Sequence, residues 1–148
     1  VKKTLLHTFD ESPLLAIRTT LEGFRLAYLI NKYLAFFLQR TKEDIINFEQ
    51  DAKFMHFKFN NIKEKYTIHL FENKTKKENF FEEKSLFQQP LISHTYLFPE
   101  FKNVDFFIKT MDKKYPKISH KLNTIKNIEM AYIIPNEKIK SKKNLNII

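Results

Sequence analysis

Two stretches in the middle of the chain alternate apolar and polar residues, and two others repeat apolar residues at helical spacing. "FMHFKF" (54–59) and "YTIHLF" (66–71) have a period of two, that of a half-buried strand. With "NNIKEK" between them they predict a hairpin with residues 60–65 as its loop. Phe59 then faces Tyr66, and His56 faces His69. Met55, Phe57, Phe59, Tyr66, Ile68 and Leu70 share the buried face. Phe54, His56, Lys58, Thr67, His69 and Phe71 share a wetter one.

In "LEGFRLAYLINKYL" (21–34), Leu26, Leu29, Ile30 and Tyr33 fall on one helical face, with Arg25 and Lys32 on the other. Thr20 is the expected N-cap and Glu22 lies in the first turn. A second helix is expected over 117–128, where Ile118, Leu122, Ile125 and Ile128 keep the 3.6-residue period. Short apolar runs predict further strands at 14–20, 35–40, 91–98, 104–110 and 129–135. Residues 41–53 read as a charged connector and 72–79 as a polar, lysine-rich loop, while 80–90 has no clear pattern. The expected fold class is α+β: a single largely antiparallel sheet with two crossover helices, loosely ferredoxin-like in its βαβ units. The expected organisation is one domain over 1–135 and a basic tail over 136–148.

Composition narrows the function classes. The chain of 148 residues suits one domain, and at that length folding buries roughly 68–70 % of the unfolded surface. It has no cysteine, so no disulfide or thiolate metal site can form, and a cytoplasmic location is the expectation. No signal peptide or membrane span is expected: "YLAFFLQ" lies between Lys32 and Arg40 and is far shorter than the ~20 residues a spanning helix needs. The only glycine is Gly23, expected to relieve crowding at a helix start. Phosphate-cradling loops and the nucleophile elbow need several glycines and are excluded. No cofactor and no enzymatic activity are expected.

The net charge is +9, from 26 Lys and Arg against 17 Asp and Glu. Such a surface favours polyanions, and lysine holds phosphate as a point charge without reading sequence. A surplus of Lys, Asn, Ile and Phe is also what AT-rich coding produces. The candidate phosphate contacts are Lys138, Lys140, Lys142 and Lys143 in the tail, helped by Lys74, Lys76, Lys77, Lys113 and Lys114. The apolar end of the tail, "LNII", argues that it docks on something. Phe54 and Phe71, beside His56, His69 and Lys58, are candidate base-stacking residues; the alternative is that a second layer covers them. His56 and His69 would need a third ligand to hold a metal. His94 and His120 each follow a serine, but neighbours on a strand point to opposite faces.

One corner has a distinctive string, "YLFPEFKNVDFFIK" (96–109). Pro99 cannot donate to a ladder and ends its strand. Glu100 and Asp105 are placed to accept hydrogen bonds from orphan backbone N–H groups. "FPEFKNVDFF" resembles the signature IPExxxVDY of a bacterial protein family. Pro99, Glu100, Val104 and Asp105 match, while Phe98 stands for the Ile and Phe106 for the Tyr. "AIRTTLEGFRLAYLINK" and "KSKKNL" are similar to that family as well. The resemblance implies no activity, substrate or cofactor. Family genes often neighbour that of a double-strand-specific ribonuclease, which implies a link to RNA. The expected function is thus a non-catalytic RNA-associated accessory protein, ribosome-associated or acting in RNA processing. The alternative is a protein–protein adaptor or structural subunit using a Phe-rich surface or an open sheet edge.

Overall fold

The computed structural model describes residues 12–79 and 91–141. Its elements are β1 (Leu14–Thr19), α1 (Gly23–Leu34), β2 (Gln39–Arg40), β3 (Ile45–Asn47), β4 (Ala52–Phe54), β5 (His56–Asn61), β6 (Tyr66–Glu72), β7 (Lys74–Asn79), β8 (Leu91–Tyr96), β9 (Phe106–Lys109), α2 (Tyr115–Leu122) and β10 (Ile128–Ile134). Six strands form an antiparallel sheet in the order β10-β1-β9-β6-β5-β2. The order β10-β1-β9-β6, with α1 after β1 and α2 between β9 and β10, is the ferredoxin-like βαββαβ plan. Two small hairpins, β3-β4 and β7-β8, are added to it.

Apolar residues alternate between two cores along the central strands. Leu15 and Ile17 of β1, Ile108 of β9 and Ile68 and Leu70 of β6 pack with Leu26, Ile30, Ile118 and Leu122 of the helices. Leu14 and Ala16, Phe107, and Phe71 face the other way, onto Phe54, Phe98, Val104 and Ile139. Both faces of the central strands are therefore covered, and β1 reads as an unbroken apolar run for that reason.

Several elements depart from the sequence expectation. The buried stripe of α1 is Gly23, Leu26, Ala27, Ile30 and Leu34, whereas Tyr33 points outward. Ala35 takes a left-handed conformation at the C-cap and stops the helix, so only Gln39–Arg40 of the expected 35–40 strand pairs. The N-cap is Glu22 and not Thr20. A Cβ on Gly23 would lie 2.8 Å from Met55 Cε, so the glycine does relieve crowding at the helix start. The connector 41–53 contains β3 and most of β4, and the lysine-rich "loop" is strand β7, paired to β8. Helix α2 ends at Leu122 because the side chain of the next residue, Asn123, turns to β10. Its Nδ2 donates to the Ala131 carbonyl at 2.8 Å and its Oδ1 accepts from the Ala131 N–H at 2.8 Å. Ser119 Oγ also donates to that carbonyl. The outer edge of the sheet is thereby plugged at its centre, as edge strands often are.

The hairpin β5-β6 has Asn61 opposite Tyr66, so the register is two residues from the expected one. A shift of two keeps every side chain on its face. His56 faces Phe71, and Lys58 faces His69.

Candidate nucleic-acid interface

The Pro99–Asp105 corner is a structural device. Strand β8 ends at Tyr96, and Pro99–Phe101 form a 3-10 turn three residues further on. Asp105 Oδ2 accepts from the Thr19 N–H at 2.9 Å, and the Asp105 N–H donates to the Ile17 carbonyl at 3.0 Å. Asp105 thus extends the β1-β9 ladder past the irregularity at Arg18/Thr19. Glu100 Oε2 accepts from the Lys140 and Ser141 N–H groups at 2.8 and 2.6 Å, and Oε1 accepts from the Ser141 hydroxyl at 2.8 Å. With Ile139 buried in the second core, residues 136–141 pack onto the domain. Both carboxylates are occupied by backbone N–H groups, as the sequence reading expects.

The residue that organises this corner was not visible in the sequence. Asn73 is fully buried. Its Nδ2 donates to the Phe101 and Val104 carbonyls at 2.8 and 2.9 Å, and its Oδ1 accepts from the Phe98 N–H at 2.7 Å. Its own N–H donates to the Asp105 carbonyl, and its carbonyl accepts from the Leu97 N–H. The inner side of this turn buries backbone groups that must be paired, and one asparagine satisfies three of them here.

Burial pushes the Glu100 carboxyl up, but the N–H groups of Glu100, Ser141 and Lys140 and the Ser141 hydroxyl outweigh it and hold the group below its ordinary 4.5. A lowered carboxyl stabilises the folded state above its unfolded value, and that stabilisation is lost as pH falls through the folded value. The amide resonances of Lys140 and Ser141 should therefore titrate together, with a midpoint below 4.5. Glu100→Ala should abolish that titration and speed exchange of both amides. Unchanged exchange in the variant would show that the carboxylate does not hold the tail.

His56 and His69 do meet, diagonally across the hairpin, with Nε2···Nδ1 at 2.9 Å. Burial lowers His56 to about 4, helped by Lys58 and Arg40; His69 falls to about 3 by burial and then by His56, Lys109 and Lys58. Both rings are neutral at pH 7, so one donates and the other accepts. Among the described residues no group of three His, Cys, Asp or Glu is placed to hold a metal ion.

The stacking assignment of Phe54 and Phe71 is corrected by the structure. Both are 0 % exposed, and Phe71 lies among Phe98 and Phe107 at centroid distances of 6.4 and 5.8 Å. The second layer over this face comprises the β3-β4 hairpin, the corner and the start of the tail, and not the final helix. The candidate lysines do not form one surface. Lys138 and Lys140 are exposed on the tail, next to the second core. Lys74 and Lys76 lie on β7, half-buried and exposed, and Lys77 is opposite Ser93 in the same ladder. Lys142 and Lys143 lie outside the described residues.

Lys113 and Lys114 join two lysines that the sequence reading passed over. A cleft of about 500 Å³ opens between the end of α1, the β5-β6 turn and α2, and Lys113, Lys114, Lys117 and Lys121 line it with Asn61 and Tyr66. Lys117 and Lys121 are four apart on α2, on one side with a rise of about 6 Å, and Lys113 and Lys114 lie in the 3-10 turn Asp112–Lys114 that leads into it. Lys114 Nζ lies 3.7 Å from the Tyr66 ring centroid and 4.0 Å from Glu64, the one carboxylate lining the cleft. That half-exposed ion pair is weak and leaves the cleft with an excess of three positive charges. The N-terminus of α2 adds to the positive potential and the C-terminus of α1 opposes it. Each is worth only about half a charge, so the ammonium groups dominate. The i, i+4 pair Lys117 and Lys121 in the expected helix was the signal available in the sequence.

Among the described residues no helix is long and apolar enough to cross a membrane. Comparison with protein-family models, with curated proteins and with solved structures gave no match to this chain.

Proposed function

We propose that the protein is a non-catalytic, RNA-associated accessory protein of the cytoplasm, in a ribosome-associated or RNA-processing role, that grips the phosphate backbone. The single observation behind this reading is the lysine-lined cleft beside α2. A cleft with an excess of one sign of charge focuses potential and concentrates counter-ions. The four lysines line one cleft, and lysine holds phosphate as a point charge at any base sequence. Glu100 and Asp105 are engaged by backbone N–H groups, which favours a structural role for these two carboxylates.

Binding of an RNA oligonucleotide should weaken steeply with salt, since each neutralised phosphate releases counter-ions. Four contacts give a log–log slope of about −3 on a single strand. Lys117→Gln with Lys121→Gln should lower affinity at low salt and make that slope shallower by about 1.4. Fluorescence anisotropy between low and moderate salt measures both. Salt-independent binding, or none, refutes the reading.

The adaptor reading has its own support in Phe24 and Tyr28, one turn apart on α1 and more than half exposed. Its strand-addition form is disfavoured, because Asn123 and Ser119 occupy the outward groups of Ala131 and the opposite edge strand has only two residues. A stoichiometric protein partner that survives ribonuclease and high salt would favour it.

A further inference from the structure

A second trough adjoins the lysine cleft. Phe36 and Asn61 line the cleft, and the neighbouring Phe37 and Asn60 line the trough. The trough measures about 580 Å³ and carries Arg40, Lys42 and Lys58. Arg40 is held by Asp44, while Lys42 and Lys58 are exposed. Between the two basic regions stands Phe37, 73 % exposed. Phe59 packs against its ring in a T-shaped arrangement, with centroids 6.1 Å apart, and most of the Phe37 ring remains in solvent.

A single exposed apolar residue is ordinary. An exposed ring fixed by a second aromatic, with cations on both sides, is the arrangement by which single strands are held: ammonium groups follow the phosphates and the ring stacks on a base. A duplex keeps its bases inside and offers no ring to stack on. A protein partner would favour Phe37 too, but the charge on both flanks is complementary to a polyanion.

We propose that Phe37 is the stacking platform of the interface, and that the ligand is single-stranded RNA running from the lysine cleft, over Phe37, into the Lys42–Lys58 trough. This rests on the RNA-binding reading and adds the strand form and the aromatic anchor to it. The path uses Phe37 in place of Phe54 and Phe71, which are inside the protein.

The test uses the full chain with a fluorescein-labelled oligouridylate of about 16 nucleotides and a blunt RNA duplex as the second ligand. Phe37→Ala should weaken single-strand binding about tenfold, leave the salt slope unchanged and leave the duplex affinity unchanged. Because the ring is exposed, the melting temperature should stay within error of the parent. The chain has no tryptophan, so Phe37→Trp installs a lone reporter whose emission should be quenched as oligouridylate saturates. A Phe37→Ala variant that binds the oligonucleotide as tightly as the parent, or a Phe37→Trp reporter indifferent to saturation, overturns the platform. If lysine-dependent, salt-sensitive binding persists in that case, the wider RNA reading stands alone. If neither RNA binds the parent chain, or a ribonuclease-resistant protein partner displaces them from this edge, both fall.

Discussion

Asn73→Ala is expected to destabilise the protein by about 3–5 kcal/mol, read as a lower urea midpoint with the denaturant slope unchanged. The substitution strands the Phe98 N–H and deprives the Phe101 and Val104 carbonyls of a donor. A buried polar group left without its partner costs about 1–3 kcal/mol, and the Asn73 bonds to Val104 and Phe98 are buried. Against a typical total of about 5–15 kcal/mol the loss brings the domain near its unfolding threshold. Asn73→Asp retains an acceptor for Phe98 but no donor for the carbonyls, and should also be severe, because it buries a charge without a cationic partner. A loss below about 1 kcal/mol for Asn73→Ala would mean that the corner reaches solvent or other donors, and the account of Asn73 as its organiser would fail.

The second large effect separates a core residue from a binding residue. Phe71→Ala should cost about 3–5 kcal/mol, the usual range for removing a fully buried phenylalanine. Phe71 is 0 % exposed and its ring lies against those of Phe98 and Phe107, so the cavity left is lined by rigid rings that collapse poorly. Phe37→Ala, by contrast, removes a ring that is mostly in water and should leave stability nearly unchanged. The two variants thus make opposite predictions in two assays: thermal denaturation for Phe71, single-strand RNA binding for Phe37. A Phe71→Ala protein of parental melting temperature that had lost RNA affinity would return that ring to the surface.

Much of the architecture was legible because local periodicity and burial coincide. The alternation over 66–71 placed Tyr66, Ile68 and Leu70 on one face and His69 and Phe71 on the other, and those faces are observed. The hairpin register was two residues off because a polar loop such as "NNIKEK" does not mark its own ends: Asn60 and Asn61 extend β5. The strand Lys74–Asn79 reads as a loop by composition, since an edge hairpin has little to bury and needs no apolar alternation. The stripe of α1 was rotated because Ala27 is small and Tyr33 large; hydrophobicity favoured the tyrosine, while the close approach to the sheet favoured the alanine.

The candidate interface was half legible. Lys113 and Lys114 stand among the candidate phosphate contacts, and Lys117 and Lys121 follow from the i, i+4 spacing within the expected helix. The choice among phenylalanines was not. Phe37, Phe54 and Phe71 are chemically identical, and which of them meets water depends on segments far away in the chain: the Pro99–Asp105 corner, the β3-β4 hairpin and Ile139.

The amino-acid order by itself determined the α+β class, the end of a strand shortly before Pro99 and the use of Glu100 and Asp105 as backbone acceptors. Each of these follows from short-range chemistry: side-chain period, a missing N–H, a carboxylate beside a turn. The apolar end "LNII" lies outside the described residues. Only the tertiary structure decided that both sheet faces are covered, that Asn73 holds the corner together and that four lysines converge on one cleft. Those outcomes depend on contacts between residues remote in the chain, and no local pattern encodes which distant segment will arrive to exclude the water.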